Sequence, residues 1–236
     1  MSAMKPTPTV LLFDIDGTLL KTGGAGRRSM RRAFHEVCDR PDALDAMDFR
    51  GMTDPLILEG GLRAIGEAAT PERLAALMGA YLRCLEVEVP ASRDYEVLPG
   101  VHELLATLAG LERVVVGLGT GNSSAGARTK LAHADLWQHF AFGGFGDDHS
   151  DRVELVRAGA ARGASALGVP LSACRVVVIG DTPKDARAAR GIDAHCLAVL
   201  TGGYPEPELR AAGAAWVVPD LLHPAVLPTL LGKVSG

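Results

Sequence analysis

Residues 10–20 read Val10-Leu11-Leu12-Phe13-Asp14-Ile15-Asp16-Gly17-Thr18-Leu19-Leu20, and this stretch decides the fold. Val10–Phe13 is an unbroken apolar run, the pattern of a strand buried on both faces. Two carboxylates follow, Asp14 and Asp16, and then Gly17, which permits a sharp turn. In open α/β sheets, ligands bind outside the carboxyl ends of the strands. Asp14 and Asp16 therefore stand where a site belongs. Two acids this close repel each other unless a cation lies between them. Mg2+ favours a few carboxylate oxygens together with water and substrate phosphate. Taken alone, the pair fits solvated acids in a turn equally well.

The same arrangement recurs downstream. Val176–Ile179 runs into Gly180-Asp181-Thr182-Pro183-Lys184-Asp185, and Val114–Leu118 runs into Gly119-Thr120-Gly121-Asn122. Thr182 reads as a helix N-cap, Pro183 as the first helical residue and Asp185 as an acidic variant of the capping box. That leaves Asp181 without a local role, and a metal ligand at a second strand end is the economical account. At the other strand, a hydroxyl, a glycine and a helix N-terminus suit phosphate binding. Gly117-x-Gly119 is half of a dinucleotide fingerprint, but Asn122 replaces the third glycine and the strand is not the first. Nicotinamide binding is not expected.

Cys196–Leu200 and Ala215–Val218 read as further strands. Asn122–His133, Val153–Leu167 and Pro183–Arg190 read as helices between them. Alternating strands and helices predict a doubly wound parallel sheet, an α/β fold of right-handed crossovers. From about residue 22 to residue 92 no strand is evident. Helices near Arg27–Cys38, Asp54–Ile65 and Pro71–Glu88 fill this interval, with flexible Gly23, Gly24 and Gly26 before it and Pro90 and Pro99-Gly100 after it. The expected organisation is an α/β core of residues 1–20 and 93–236 with an inserted helical cap domain of residues 21–92.

Composition bounds the partners. The chain of 236 residues is 47% hydrophobic and 22% charged, as in an ordinary globular protein. A net charge of -4 gives no reason to expect nucleic acid as a partner. Cys38, Cys84, Cys174 and Cys196 form no CxxC pair, so neither zinc nor a disulfide framework is expected. The seven histidines show no metal-binding spacing. Residues 1–9 lack a leader pattern and no apolar run is long enough to span a membrane. No membrane partner and a cytoplasmic location are expected.

Taken in order, the three strand-end motifs resemble the haloacid dehalogenase superfamily, specifically phosphoglycolate phosphatase-like members with a helical C1-type cap after the first strand. Asp14–Leu20, DIDGTLL, matches the DxDGT(L) motif. Thr120 matches the second motif and Ile179–Asp185, IGDTPKD, the GDTxxD form of the fourth. The resemblance implies a Mg2+-dependent phosphatase acting on a small phosphate monoester, with phosphoglycolate the first candidate, as a monomer or homodimer. It implies Asp14 as the nucleophile that forms an aspartyl-phosphate and Asp16 as the acid/base. Asp14, the Asp16 backbone carbonyl and Asp181 would hold the metal, supported by Asp185. Thr120, Gly121 and Asn122 would meet the phosphoryl group.

The third motif departs from the family's usual Lys. Arg152 falls close to that place and is the expected second cation. Lys130 is the alternative, two turns down a helix that leads away from the strand end, with a long side chain that could partly reach back. In the insert, Arg50-Gly51-Met52-Thr53-Asp54 lies where the family carries a loop over the site. Thr53 or Asp54 would touch substrate, unless Thr53 merely caps the helix after Pro55. Arg27, Arg28, Arg31 and Arg32 read as a solvated helix face. A dehalogenase would lack Asp16. A β-phosphoglucomutase-like phosphotransferase shares the motifs, and a non-catalytic phosphate-binding module would have lost one of the three acids.

Overall fold

The computed structural model describes residues 6–233. Met1–Lys5, part of the stretch read above for a leader, and the last three residues lie outside the described range. Six parallel strands form the central sheet: β1 (Thr9–Phe13), β4 (Val114–Gly119), β5 (Gly143–Gly144), β6 (Arg175–Gly180), β7 (His195–Val199) and β8 (Trp216–Val218), in the order β5-β4-β1-β6-β7-β8. Two short strands outside this sheet, β2 (Leu20–Thr22) and β3 (Tyr95–Val97), pair antiparallel.

β1 is buried at every position. Its side chains alternate between two apolar layers. Leu11 and Phe13 join Leu104, Leu131 and Leu230 on one face, from α4 (Val101–Ala109), α5 (Ser124–Ala132) and α9 (Val226–Leu230). Val10 and Leu12 join Leu155, Ala186 and Leu209 on the other, from α6 (Arg152–Ala166), α7 (Pro183–Arg190) and α8 (Glu206–Ala212). This is the doubly wound α/β fold expected from the apolar runs. Strand order reverses at β1, which pairs with β4 on one side and β6 on the other. The switch point opens a crevice at the carboxyl ends of these three strands.

The interval between β2 and β3 is helical: α1 (Ala25–Cys38), α2 (Asp54–Ala64) and α3 (Pro71–Ala91). These helices bury their own apolar cluster, with Phe34, Leu58, Leu62, Leu77 and Tyr81 at its centre. The helix expected to stop at Glu88 continues through Pro90 to Ala91. A proline in the last turn gives up one backbone bond without ending the helix. The β2–β3 pair, with Leu20 opposite Val97 and Thr22 opposite Tyr95, ties the two ends of the helical unit to each other. Among the described residues no helix is long and apolar enough to cross a membrane, and all four cysteines are free thiols.

Candidate active site

Asp14 directly follows β1, and its amide donates to the Ile179 carbonyl of β6 at 2.8 Å. The chain then turns at Gly17, whose φ of 86° is left-handed. A Cβ at Gly17 would stand 2.6 Å from Asp181 Oδ2, so glycine lets the first motif close onto the acid of the neighbouring strand. Thr18 Oγ1 donates to Asp181 Oδ1 at 3.1 Å. Gly202, just after β7, packs against the same carboxylate, and Thr201 Oγ1 donates to the Gly17 carbonyl at 2.5 Å. Thr18, Thr201 and Gly202 escaped the reading of the sequence. Thr18 stands in the DxDGT motif without a role read for it, and the only signal of Thr201 and Gly202 is a Thr-Gly-Gly turn directly after an apolar strand.

Asp14, Asp181 and Asp185 bring carboxylate oxygens within 4.8 Å of one another, and all three are buried. Burial first, then Asp185 and Asp14, push Asp181 well above the usual carboxylate range. Burial raises Asp14 to about 6 against the pull of Arg152, and Asp185 adds to the rise. Three acids face one guanidinium here, so negative charge is in excess. An all-carboxylate oxygen set with unbalanced charge fits a hard divalent cation. Asp185 does two jobs. Its Oδ2 accepts from the Thr182 amide and hydroxyl in the capping box, at 3.0 and 2.8 Å, while its Oδ1 accepts from Arg152.

Arg152 opens α6, whose N-cap Asp151 accepts from Val153 N at 2.7 Å. The buried guanidinium spans Asp14 Oδ2 at 2.8 Å and Asp185 Oδ1 at 2.5 Å. Burial opposes its charge, but Asp14 and Asp185 outweigh that and hold it protonated. The second cation also reaches the site. Lys130 Nζ donates to Asp16 Oδ2 and to Asn122 Oδ1, both at 2.6 Å, and is itself buried. Only a partial reach back along its helix was expected, and the long side chain makes the whole distance. Asn122 Nδ2 links Asp16 Oδ2 and Thr120 Oγ1, each at 2.9 Å. The Thr120 hydroxyl in turn lies against Asp14 and lowers its pKa.

The loop 50–54 is folded down on the strand ends. Asp54 N donates to the Gly121 carbonyl, and Ser123 N donates to Asp54 Oδ2, both at 2.8 Å. Lys184 Nζ donates to the Arg50 carbonyl at 2.9 Å. Any Cβ at Gly121 would run into the Met52 carbonyl. Thr53 turns its hydroxyl toward the Ser150 carbonyl at 3.4 Å and lines no part of the cavity, so of the two residues expected to touch substrate only Asp54 faces it. This cavity measures about 200 Å3. Asp14, Asp16, Lys130, Arg152 and Asp181 form its floor, and Arg27, Phe49, Met52, Asp54 and Tyr81 come from the helical unit above.

Burial also raises Asp54 to about 6, against the pull of Lys130 and the Ser123 amide. A carboxyl whose pKa is raised on folding stabilises the fold below its ordinary value of 3.8, and that contribution is lost as pH climbs through about 6. The span is worth about 3 kcal/mol. Asp54→Asn, which keeps an acceptor for Ser123 N, should therefore melt higher than wild type at pH 7.5, with the gain vanishing below about pH 4. Parallel melting temperatures across this range would contradict the argument.

Acids from adjacent strand ends at the switch point of a doubly wound sheet, covered by a helical unit, fit a hydrolase built on a Rossmann-like α/β core. The chain belongs to the haloacid dehalogenase-like hydrolases: that family's profile matches residues 8–193. Among solved structures, a hydrolase from Pseudomonas syringae is 27% identical, with 97% of this chain and 100% of that one covered at a TM-score of 0.69. A β-phosphoglucomutase from Clostridium difficile shares the fold at 17% identity and TM-score 0.67, covering 96% of this chain and 98% of its own. A predicted phosphoglycolate phosphatase from Haemophilus somnus does so at 13% identity and TM-score 0.66, covering 93% and 97%. No curated relative matches the chain by sequence.

Proposed function

We propose that the chain is a Mg2+-dependent phosphatase of small phosphate monoesters, working through an aspartyl-phosphate on Asp14. The observation that carries this reading is the buried trio Asp14, Asp181 and Asp185 beside Arg152, with Asp16 held apart by Lys130 and Asn122. Two carboxylates two residues apart thus have different surroundings. Asp14 is buried against a fixed cation, and Asp16 is half-exposed toward the cavity. Divergent surroundings suit one acid to attack and the other to proton transfer.

Asp14 would hold the metal with Asp181, and Asp185 would support them. The metal would supply charge neutralisation for the phosphoryl oxygens. An Asp14 oxygen forms a bond to phosphorus as the ester P–O bond breaks, and Asp16 gives its proton to the departing oxygen. Asp16 then takes a proton from water as that water attacks phosphorus, the Asp14–phosphorus bond breaks and inorganic phosphate leaves. Arg152 and the Thr120–Asn122 pair hold negative oxygens throughout, because phosphoryl transfer depends on positioning and charge stabilisation.

Residues 21–92 act as the cap in this reading, opening for substrate and closing to exclude water before transfer. The contacts of Asp54 with Gly121 and Ser123 describe the closed arrangement. With p-nitrophenyl phosphate, hydrolysis should require Mg2+ and stop in EDTA once metal removal is verified. Full activity of the metal-free protein would end the metal assignment. Free phosphate, rather than an isomerised phosphosugar, should be the product.

A further inference from the structure

We infer that Arg27 reads the leaving group, and that the substrate is a short ester carrying a second anion there, a carboxylate or a second phosphoryl group. This rests on the phosphatase reading above. Four cations line the cavity. Arg152 is matched by Asp14 and Asp185, Lys130 by Asp16, and Arg50 by Asp48 at 2.8 Å. Arg27 has no carboxylate within 4.0 Å among the described residues. Its Nη1 and Nη2 donate to the Leu44 and Met47 carbonyls at 3.3 and 2.6 Å, and its face lies 4.1 Å over the Phe49 ring. These contacts fix the fork but give it no anionic partner, and a guanidinium has five N–H donors.

The position of Arg27 sharpens the point. It stands in the first turn of α1, where there is no acidic residue and no side-chain cap. The positive end of a helix disfavours a cation and favours an anion. The neighbouring Arg28 is compensated by Glu88 at 2.7 Å, whereas Arg27 is not. The same turn borders the chemistry: a Cβ at Gly26 would stand 3.7 Å from Lys130 Nζ. Phe49 packs under the Arg27 fork, and Met30, Met52 and Ile57 add apolar surface to the same cavity. At about 200 Å3 the cavity is also smaller than the roughly 300–1,000 Å3 of ordinary small-molecule sites. A short anionic leaving group fits this chemistry.

The test compares esters that differ in this one group. Wild type should favour carboxymethyl phosphate or ethylene bisphosphate over 2-hydroxyethyl phosphate by about 10- to 100-fold in kcat/KM, the worth of a charge-assisted hydrogen bond. Whichever of the two anionic esters leads identifies the anion. Arg27→Met should erase the preference, lowering kcat/KM on the two anionic esters about 10- to 100-fold more than on 2-hydroxyethyl and p-nitrophenyl phosphate, and Arg27→Lys should restore part of it. No anionic preference in wild type, its survival in Arg27→Met, or an equal loss on every ester would overturn the inference. The last would mark Arg27 as a staple for the loop of Leu44 and Met47. Calorimetry with 3-phosphonopropionate and 3-hydroxypropylphosphonate, which cannot be hydrolysed, should show the same Arg27-dependent preference. If wild type hydrolyses no ester, p-nitrophenyl phosphate included, the phosphatase reading falls, and this binding measurement still decides the role of Arg27.

Discussion

Asp14→Asn should lower kcat by roughly 10³-fold or more, the scale seen when a covalent hydrolase loses its nucleophile. Asparagine is nearly isosteric, and its amide oxygen can still accept from Arg152 Nη2, which lies 2.8 Å from Asp14 Oδ2. What disappears is the anion that attacks phosphorus. Because Asp14 is one of three buried acids facing one guanidinium, neutralising it relieves repulsion. The variant should fold and melt at or above the wild-type temperature, so lost turnover will not reflect lost structure. Rapid acid quenching of wild type during turnover should trap a phosphate adduct on the peptide containing Asp14, and Asp14→Asn should show none. Asp16→Asn should lose about 10²- to 10⁴-fold on alkyl esters, as removal of a general acid predicts. It should still become labelled by an aryl phosphate, whose leaving oxygen needs little protonation. Normal turnover in Asp14→Asn would end the nucleophile assignment.

The sheet was legible because parallel strands covered on both faces must be written as apolar runs, and Val10–Phe13, Val114–Leu118 and Val176–Ile179 are such runs. Their ends then located Asp14, Thr120 and Asp181 without any contact being known. The elements that escaped carry little periodic signal. β5 is Gly143-Gly144 alone, and β2 and β3 are three residues each, held by pairing between distant segments. Loop geometry escaped for the same reason. Thr201 and Gly202 carry no signal beyond following a strand, yet they pack against Gly17 and Asp181 because β7 ends beside β6.

Lys130 shows a different limit. Eight residues along a helix place it about 12 Å past Asn122 at 1.5 Å per residue. Side chains on a helix, however, lean toward its N-terminus. A lysine stem laid back along α5 brings Nζ to Asn122 Oδ1 at 2.6 Å. A partial reach back was legible in the sequence, and the full reach depends on how the stem lies along α5. Arg27 was misjudged: a run of four arginines looks like a solvated face, but α1 turns one of them inward over Phe49.

Arg152→Ala should cost at least about 10²-fold in kcat/KM on every ester, and it should also destabilise the fold. Arg152 is the one cation touching Asp14, and its removal leaves Asp14 and Asp185 buried without a charged partner among the described residues. Breaking such a pair from one side typically costs about 3–5 kcal/mol. Arg152→Lys should recover part of the activity, because an ammonium restores the charge but not the fork between two carboxylates. Lys130→Ala should behave differently, since Lys130 touches Asp16 and Asn122 rather than Asp14. A residue that positions the general acid matters in proportion to the leaving oxygen's need for a proton. Its loss should stay within about tenfold on p-nitrophenyl phosphate and approach 10² on an alkyl ester, the low end of a general-acid contribution. The Arg152→Ala loss should instead be the same for both, because charge beside the nucleophile is needed whatever leaves. A uniform loss in Lys130→Ala together with a leaving-group-dependent loss in Arg152→Ala would exchange the two assignments. It would make Lys130 the cation that serves Asp14, despite the 2.8 Å contact of Arg152.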